Sequence, residues 1–199
     1  FRSILFIPLV ISWSILYWSR DGQEIQMMEV RTNPGMTTSV KLPDGTEVVL
    51  NSSSLLRYPS QFADDKREVK LVGEAFFSVA KDEKKFIVGT LNKSKIVVHG
   101  TKFNIEAYKE SKKVQTTLVS GKVSFSYVNN GGRNDVMMQP GQKVVYDIVQ
   151  EKVVVEKANV DVETSWKDGY LIFRNTPFEE ILKSLSKRYN VEFILKKAS

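Results

Sequence analysis

From about Met27 to Lys157 the apolar residues recur with a period of two, broken at short intervals by Gly, Pro, Asn and Asp. Successive side chains of a strand point to opposite faces, so this alternation specifies strands that each bury one face. Val40-Lys-Leu42 alternates, Pro43-Asp44-Gly45 turns, and Glu47-Val-Val-Leu50 returns. Pro presets φ for the first turn position and Gly accepts φ > 0 without steric cost, so the unit predicts a hairpin. Similar units are Glu68–Val72 followed by a turn at Gly73, then Ala75–Val79, Phe86–Val88, Lys95–His99 before Gly100, and Phe103–Tyr108. Val114–Val119 before Ser120-Gly121, Lys122–Tyr127 before Asn129-Asn-Gly-Gly132, Lys143–Tyr146 after Pro140-Gly141, and Lys152–Val155 continue the series. Short β-branched and aromatic strands at this spacing predict a mainly β domain, best read as a jelly-roll-like two-sheet sandwich. The unequal intervals disfavour a strict-period solenoid. Its expected core is Leu50, Leu56, Phe62, Phe76, Val79, Ile87, Val97, Phe103, Ile105, Leu118, Val123 and Phe125.

The chain has 199 residues, enough to bury a core, and no cysteine, which excludes a disulfide framework and thiolate metal sites. Its formal charge of +6 comes from scattered pairs such as Lys84-Lys85 and Lys112-Lys113, interleaved with acids. Nucleic-acid footprints cluster their basic residues on one face, so a solvated basic surface is expected and no nucleic acid. The sequence begins at Phe1 and stops at Ser199 in mid-pattern, as a piece of a longer protein would.

Two terminal segments depart from the β pattern. Ser3 to Trp18 carries no charge and lies between Arg2 and Arg20, with Trp13, Tyr17 and Trp18 near one end. With its flanks it falls within the roughly 17–25 residues that cross a bilayer, and the aromatics suit an interfacial belt. No small-residue cleavage site follows, so residues 1–20 read as a retained transmembrane anchor, preceding a β domain over 21–158. Residues 159–199 form a different unit. Tyr170-Leu-Ile-Phe173 reads as a strand, Thr176 as N-cap with Pro177 at the first helical position and Glu179 completing a capping box. Phe178, Ile181, Leu182, Leu185 and Tyr189 share a helical stripe, Asn190 suits a left-handed cap, and Val191–Leu195 reads as a second strand. A β-α-β unit this small buries too little to stand alone.

Catalytic constellations are missing. His99 is the sole histidine and has no carboxylate pair beside it, so it reads as structural. No Ser stands in a Gly-flanked elbow and no phosphate-cradling glycine loop occurs. Asp64-Asp65 and Asp82-Glu83 read as solvated loops, and Glu179-Glu180 complements a helix N-terminus. Gly73-Glu74-Ala75 reads as a turn with a polar lip. The sequence thus predicts neither an enzyme nor any cofactor or metal site.

The run Val40-Lys-Leu-Pro-Asp-Gly-Thr-Glu-Val-Val-Leu-Asn-Ser-Ser-Ser54 with Leu55-Leu-Arg-Tyr-Pro59, then Arg67 to Asp82, His99 to Tyr108 and Leu118 to Val123 resembles the extracytoplasmic domain of FecR-family anti-sigma factors. Several separated motifs in order carry the likeness over roughly residues 30 to 150, although the family usually has Leu where His99 stands. The tail from Trp166 resembles the first half of the STN-like signalling fold of secretins and TonB-dependent transducers. The resemblance implies a periplasmic domain on a single inner-membrane helix. Such a domain would relay a signal from a TonB-dependent transducer's signalling domain to an extracytoplasmic-function (ECF) sigma factor. The sigma factor would be held by a cytoplasmic segment outside this sequence, and regulated proteolysis would free it. The partner is expected to dock on the tail through Phe173, Arg174, Val191, Phe193 and Leu195, adding a strand to an exposed edge. The alternative is a membrane-anchored carbohydrate-binding jelly roll, which would present exposed Trp or Tyr on a concave face.

Overall fold

The computed structural model describes residues 25–129 and 131–195. The predicted anchor at 1–20 therefore lies outside the described residues, among which no helix is long and apolar enough to cross a membrane. Thirteen strands form in order. They are β1 (Met27–Arg31), β2 (Thr38–Lys41), β3 (Glu47–Leu50), β4 (Leu55–Pro59), β5 (Lys66–Ser78), β6 (Lys85–Thr90) and β7 (Lys95–Val98). The series continues with β8 (Lys102–Ala107), β9 (Lys113–Ser120), β10 (Val123–Asn129), β11 (Gly132–Met138), β12 (Gln142–Asp147) and β13 (Lys152–Lys157). Helix α1 (Val160–Thr164), a 3-10 turn (Ser165–Asp168) and helix α2 (Phe178–Tyr189) complete the described chain.

The protein is mainly β, and its strands form one sheet curled into two layers. The first layer runs β1-β4-β5-β6-β7-β10-β11, and the second runs β2-β3-β5-β8-β9-β12-β13. β5 belongs to both: Lys66–Leu71 pairs with β6 and Gly73–Ser78 pairs with β8. Beyond it the chain lays hairpins alternately on the two layers, β6-β7 and β10-β11 on the first, β8-β9 and β12-β13 on the second. β5 and β6 are parallel. A parallel pair needs a crossover connection, and here the second half of β5, in the other layer, supplies it. This parallel pair and the sequential hairpins set the topology apart from the antiparallel double Greek key of a jelly roll.

The predicted turn at Gly73 is instead the middle of this 13-residue strand. Gly73 has φ +104°, and a Cβ there would lie 2.3 Å from Ser54 Oγ and 2.7 Å from Ser54 Cα. Its positive φ re-aims the strand from one layer to the other while the Ser54 backbone presses close. Gly121 repeats the device between β9 and β10, which lie in different layers; it has φ +96°, and Thr101 blocks any Cβ. The Pro43-Asp44-Gly45 hairpin forms as predicted, with Leu42 N donating to the Thr46 carbonyl oxygen across it at 2.8 Å.

The core fills the space between the layers. Leu50, Leu56, Phe103, Ile105, Leu118, Val123 and Phe125 are buried as expected, and Phe62 packs on the core at its edge. Phe77 stacks on Phe103 at 5.2 Å and meets Phe86 edge-on at 6.1 Å. Ile87 and Val97 were expected inside but pair with each other, half-buried, on the outer surface; Phe86, Val88, Ile96 and Val98 face inward. Phe86-Ile-Val88 and Ile96-Val-Val98 are apolar at every position, so alternation alone leaves the face open. Shifting by one residue then exchanges the two sets.

Arg67 is a fully buried core side chain. It shares the inward face of β5 with Val69 and Leu71, which sends a guanidinium into the apolar layer. Nη1 donates to Asp44 at 2.7 Å and to the Ala80 carbonyl oxygen at 2.9 Å, and the Lys84 carbonyl oxygen accepts from Nε and Nη2 at 3.2 and 2.8 Å. Asp44 also accepts from Thr46 N (3.0 Å) and Thr46 Oγ1 (2.7 Å), so the hairpin turn carries the counter-ion.

Candidate partner-docking surface

Inward-facing Ala75 and Phe77 leave Glu74 and Phe76 on the outer face of the second layer. Opposite them on β8 stand Asn104 and Glu106: Glu106 is in register with Glu74, and Gln115 of β9 with Glu106. Glu74 is only 7% exposed. Asn51 Nδ2 donates to its Oε2 at 2.7 Å and Asn104 Nδ2 to its Oε1 at 3.1 Å, while Gln115 Nε2 donates to Glu106 Oε2 at 3.1 Å. Burial, and then the facing charge of Glu106, push the Glu74 carboxyl up to about 6, against the opposing pull of Lys187 and the two amides. Burial and the charges of Glu74 and Glu106 likewise raise the Tyr108 phenol, whose OH donates to Ser52 O at 2.9 Å. Gly73-Glu74-Ala75 is therefore no polar lip; strand pairing on both sides seals the carboxylate under the C-terminal segment.

That segment crosses the same face. Asn159 caps α1 through Val162 N, and Glu163 accepts from Lys143 Nζ of β12 at 2.8 Å. Trp166 is buried, and Lys167 Nζ lies 5.3 Å from the centre of the Phe76 ring. A buried Trp166 offers no stacking platform for a sugar, and the exposed Tyr170 and Tyr189 stand on the tail rather than on either sheet layer. α2 then returns with Ile181, Leu182 and Leu185 half-buried and Lys187 reaching the acidic site. Lys187 Nζ sits 3.3 Å from Glu106 Oε1, 3.7 Å from Glu74 Oε2 and 3.9 Å from the centre of the Tyr108 ring. Gly35 lies against the end of α2, where a Cβ would come within 3.5 Å of the Arg188 carbonyl oxygen.

Two predictions for the tail need correction. The segments 170–173 and 191–195 join no ladder, so neither predicted strand forms among the described residues. A strand exists only with a hydrogen-bonded neighbour, and neither flank of α2 has one. The capping box also fails: Pro177 is the N-cap, with ψ 142°, and its carbonyl accepts from Ile181 N. The Thr176 hydroxyl is committed to Arg174 N at 3.2 Å. Asn190 takes the left-handed cap as expected, with φ 52°.

Of the residues predicted to meet a partner, Phe173 is half-buried and Arg174 exposed, on the approach to α2. Val191, Phe193 and Leu195 follow the helix and are exposed together with Ile194, which is 82% accessible. Sequence reasoning missed Glu74, Lys187 and Arg67. Two of the three carried a signal: Arg67 shares its strand face with Val69 and Leu71, and Glu74 interrupts an apolar run that continues through Phe76 and Phe77.

The FecR protein family profile matches residues 28–124, and the profile of the FecR C-terminal region matches 170–199. Two crystal structures, each of a candidate anti-sigma factor from Parabacteroides distasonis, superpose with TM-score 0.76 at 32% identity. The first alignment covers 84% of this chain and 76% of that one; the second covers 83% and 76%. No curated protein matches. The first profile ends within β10 and the second begins just after the 3-10 turn, so together they reach from β1 into the tail that Lys187 fastens, and the chain belongs to the FecR family of anti-sigma factors.

Proposed function

We propose that this chain is the receiving, extracytoplasmic part of an inner-membrane anti-sigma factor, working by protein–protein contact without catalysis. In this reading residues 1–20 anchor it in the inner membrane and the β domain stands in the periplasm. The signalling domain of an outer-membrane TonB-dependent transducer docks on the tail, and the output is the release of an ECF sigma factor held by a cytoplasmic segment. The observation that carries the reading is the tail itself. Val191, Phe193, Ile194 and Leu195 present apolar side chains to solvent on a segment that pairs with no strand among the described residues. Strand addition uses an unpaired apolar segment that becomes extended as it joins a sheet edge: its backbone groups supply affinity and alternate side chains supply specificity.

Pull-down of the full chain with isolated transducer signalling domains tests this. Deleting residues 170–199, which spares the buried Trp166, is expected to abolish capture. Undiminished capture by the shortened chain would overturn the reading.

A further inference from the structure

Glu74 and Glu106 face each other across the β5–β8 ladder, and the Tyr108 ring lies close by. The sheet and the loop after β3 build this receptor: Glu74 on β5, Asn104 and Glu106 on β8, and Asn51 fixing one Glu74 oxygen. Its occupant, the Lys187 ammonium, comes from a different kind of element. α2 has no fully buried residue, and it leads into the exposed apolar tail. The receptor is thus part of a packed sheet, whereas the occupant rides on a lightly held helix.

Two carboxylates and the face of an aromatic ring around one ammonium make a recognition site for a primary amine. Asn104 adds an independent sign. It is buried beside Glu74, and its Oδ1 has no hydrogen-bond partner, which leaves an acceptor spare at the site. Withdrawing Lys187 would leave Glu74 buried opposite Glu106 with no cation near either, a state that takes up another cation or a proton.

We propose that this pocket is a lysine-recognition site with an exchangeable occupant, filled by Lys187 at rest and by a lysine of a protein partner once that partner draws α2 away. The exchange keeps a positive charge at the two carboxylates throughout, so lifting the helix need not expose an uncompensated buried anion. A partner that only pulls on the tail releases the helix less readily than one that also supplies the replacing amine. The proposal stands apart from the transducer reading, because its test needs only the chain itself.

The test uses full-length Lys187→Ala titrated with n-butylammonium chloride, and with sodium chloride at equal ionic strength as control. The side-chain amide resonances of Asn51 and Asn104 report binding. Millimolar binding is expected, at least about tenfold tighter than to the wild-type chain, whose pocket is already filled. Deuterium exchange over 178–190 is expected to rise in the variant, and adding Glu74→Gln to it should abolish amine binding. Lys187→Met, which keeps the stem of the side chain, is expected to behave like the alanine variant and covers a folding defect in that one. Amide shifts no larger than with sodium, equal binding by wild type, or unchanged exchange over 178–190 would each overturn the proposal.

Discussion

The guanidinium of Arg67 lies 2.7 Å from the Asp44 carboxylate, with the two side chains 2% and 10% exposed. The pair ties the turn between β2 and β3 to the first half of β5, and Phe86 covers the guanidinium at 5.3 Å from its ring centre. Removing one partner strands the other without its counter-charge inside the protein. Arg67→Ala is therefore expected to cost about 3–5 kcal/mol in urea denaturation. Arg67→Lys keeps the charge but loses the fork that serves Asp44, Ala80 and Lys84 together, and should fall between the two.

Gly73→Ala is expected to cost about 2–4 kcal/mol, an effect out of proportion to one methyl group. The φ of +104° disfavours any side chain, and the Cβ would meet Ser54 at its Cα as well as at its movable Oγ. Ser54 Oγ also accepts from Glu74 N at 2.9 Å, so the collision displaces a hydrogen bond at the layer crossing. Gly45→Ala, with φ +84° but open space around the Cβ, should cost less. Denaturation midpoints of the two variants compare strain with and without a clash.

Acidification should move the β domain and the tail in opposite directions. The groups facing Glu74 are Glu106, Lys187 and Tyr108, with the amides of Asn51 and Asn104. The folded Glu74 carboxyl, raised from 4.5 to about 6, holds its proton more tightly than the unfolded one. Its contribution to stability is greatest below pH 4.5 and is lost as pH rises to about 6, a swing of about 2 kcal/mol. The difference between wild type and Glu74→Gln across this window isolates that swing from the other carboxylates. Protonation also removes one of the two anions holding Lys187, so amide protection over 178–190, taken relative to the intrinsic exchange rate at each pH, should fall from pH 7.5 to pH 5.

Replacing Val191, Phe193 and Leu195 together by Ser should leave the melting transition within about 0.5 kcal/mol of wild type, because these side chains are exposed. The same variant is expected to lose capture by a transducer signalling domain.

The strands were legible because alternation and turn chemistry act locally. The Pro43-Asp44-Gly45 hairpin and the Asn190 cap follow from residues adjacent in the chain. What stayed hidden depends on residues far apart. Gly73 reads as a turn until Ser54, nineteen positions earlier, is seen to press on a continuous strand. Ile87 and Val97 sit in runs apolar at every position, where only the neighbouring strands decide which face is inside. The tail's predicted strands were read from composition, but a ladder needs a second backbone that the described chain does not bring there. At the candidate site, the apolar residues after α2 were found by pattern. The Lys187 pocket joins α2 to β8 across 81 positions, a separation no local pattern spans.

β5 carries a mechanical consequence. Lys187 of the tail meets β5 at Glu74, the residue directly after the Gly73 crossing. The first half of the same strand pairs with β4, and β4 with β1, which begins at Met27 near the N-terminal end of the described chain. Tail and N-terminal strand are thus two ladders apart along one stiff shaft. Any pull that α2 passes through Lys187 would therefore reach a strand only two ladders from Met27, and the Lys187 contact is the clutch in that line.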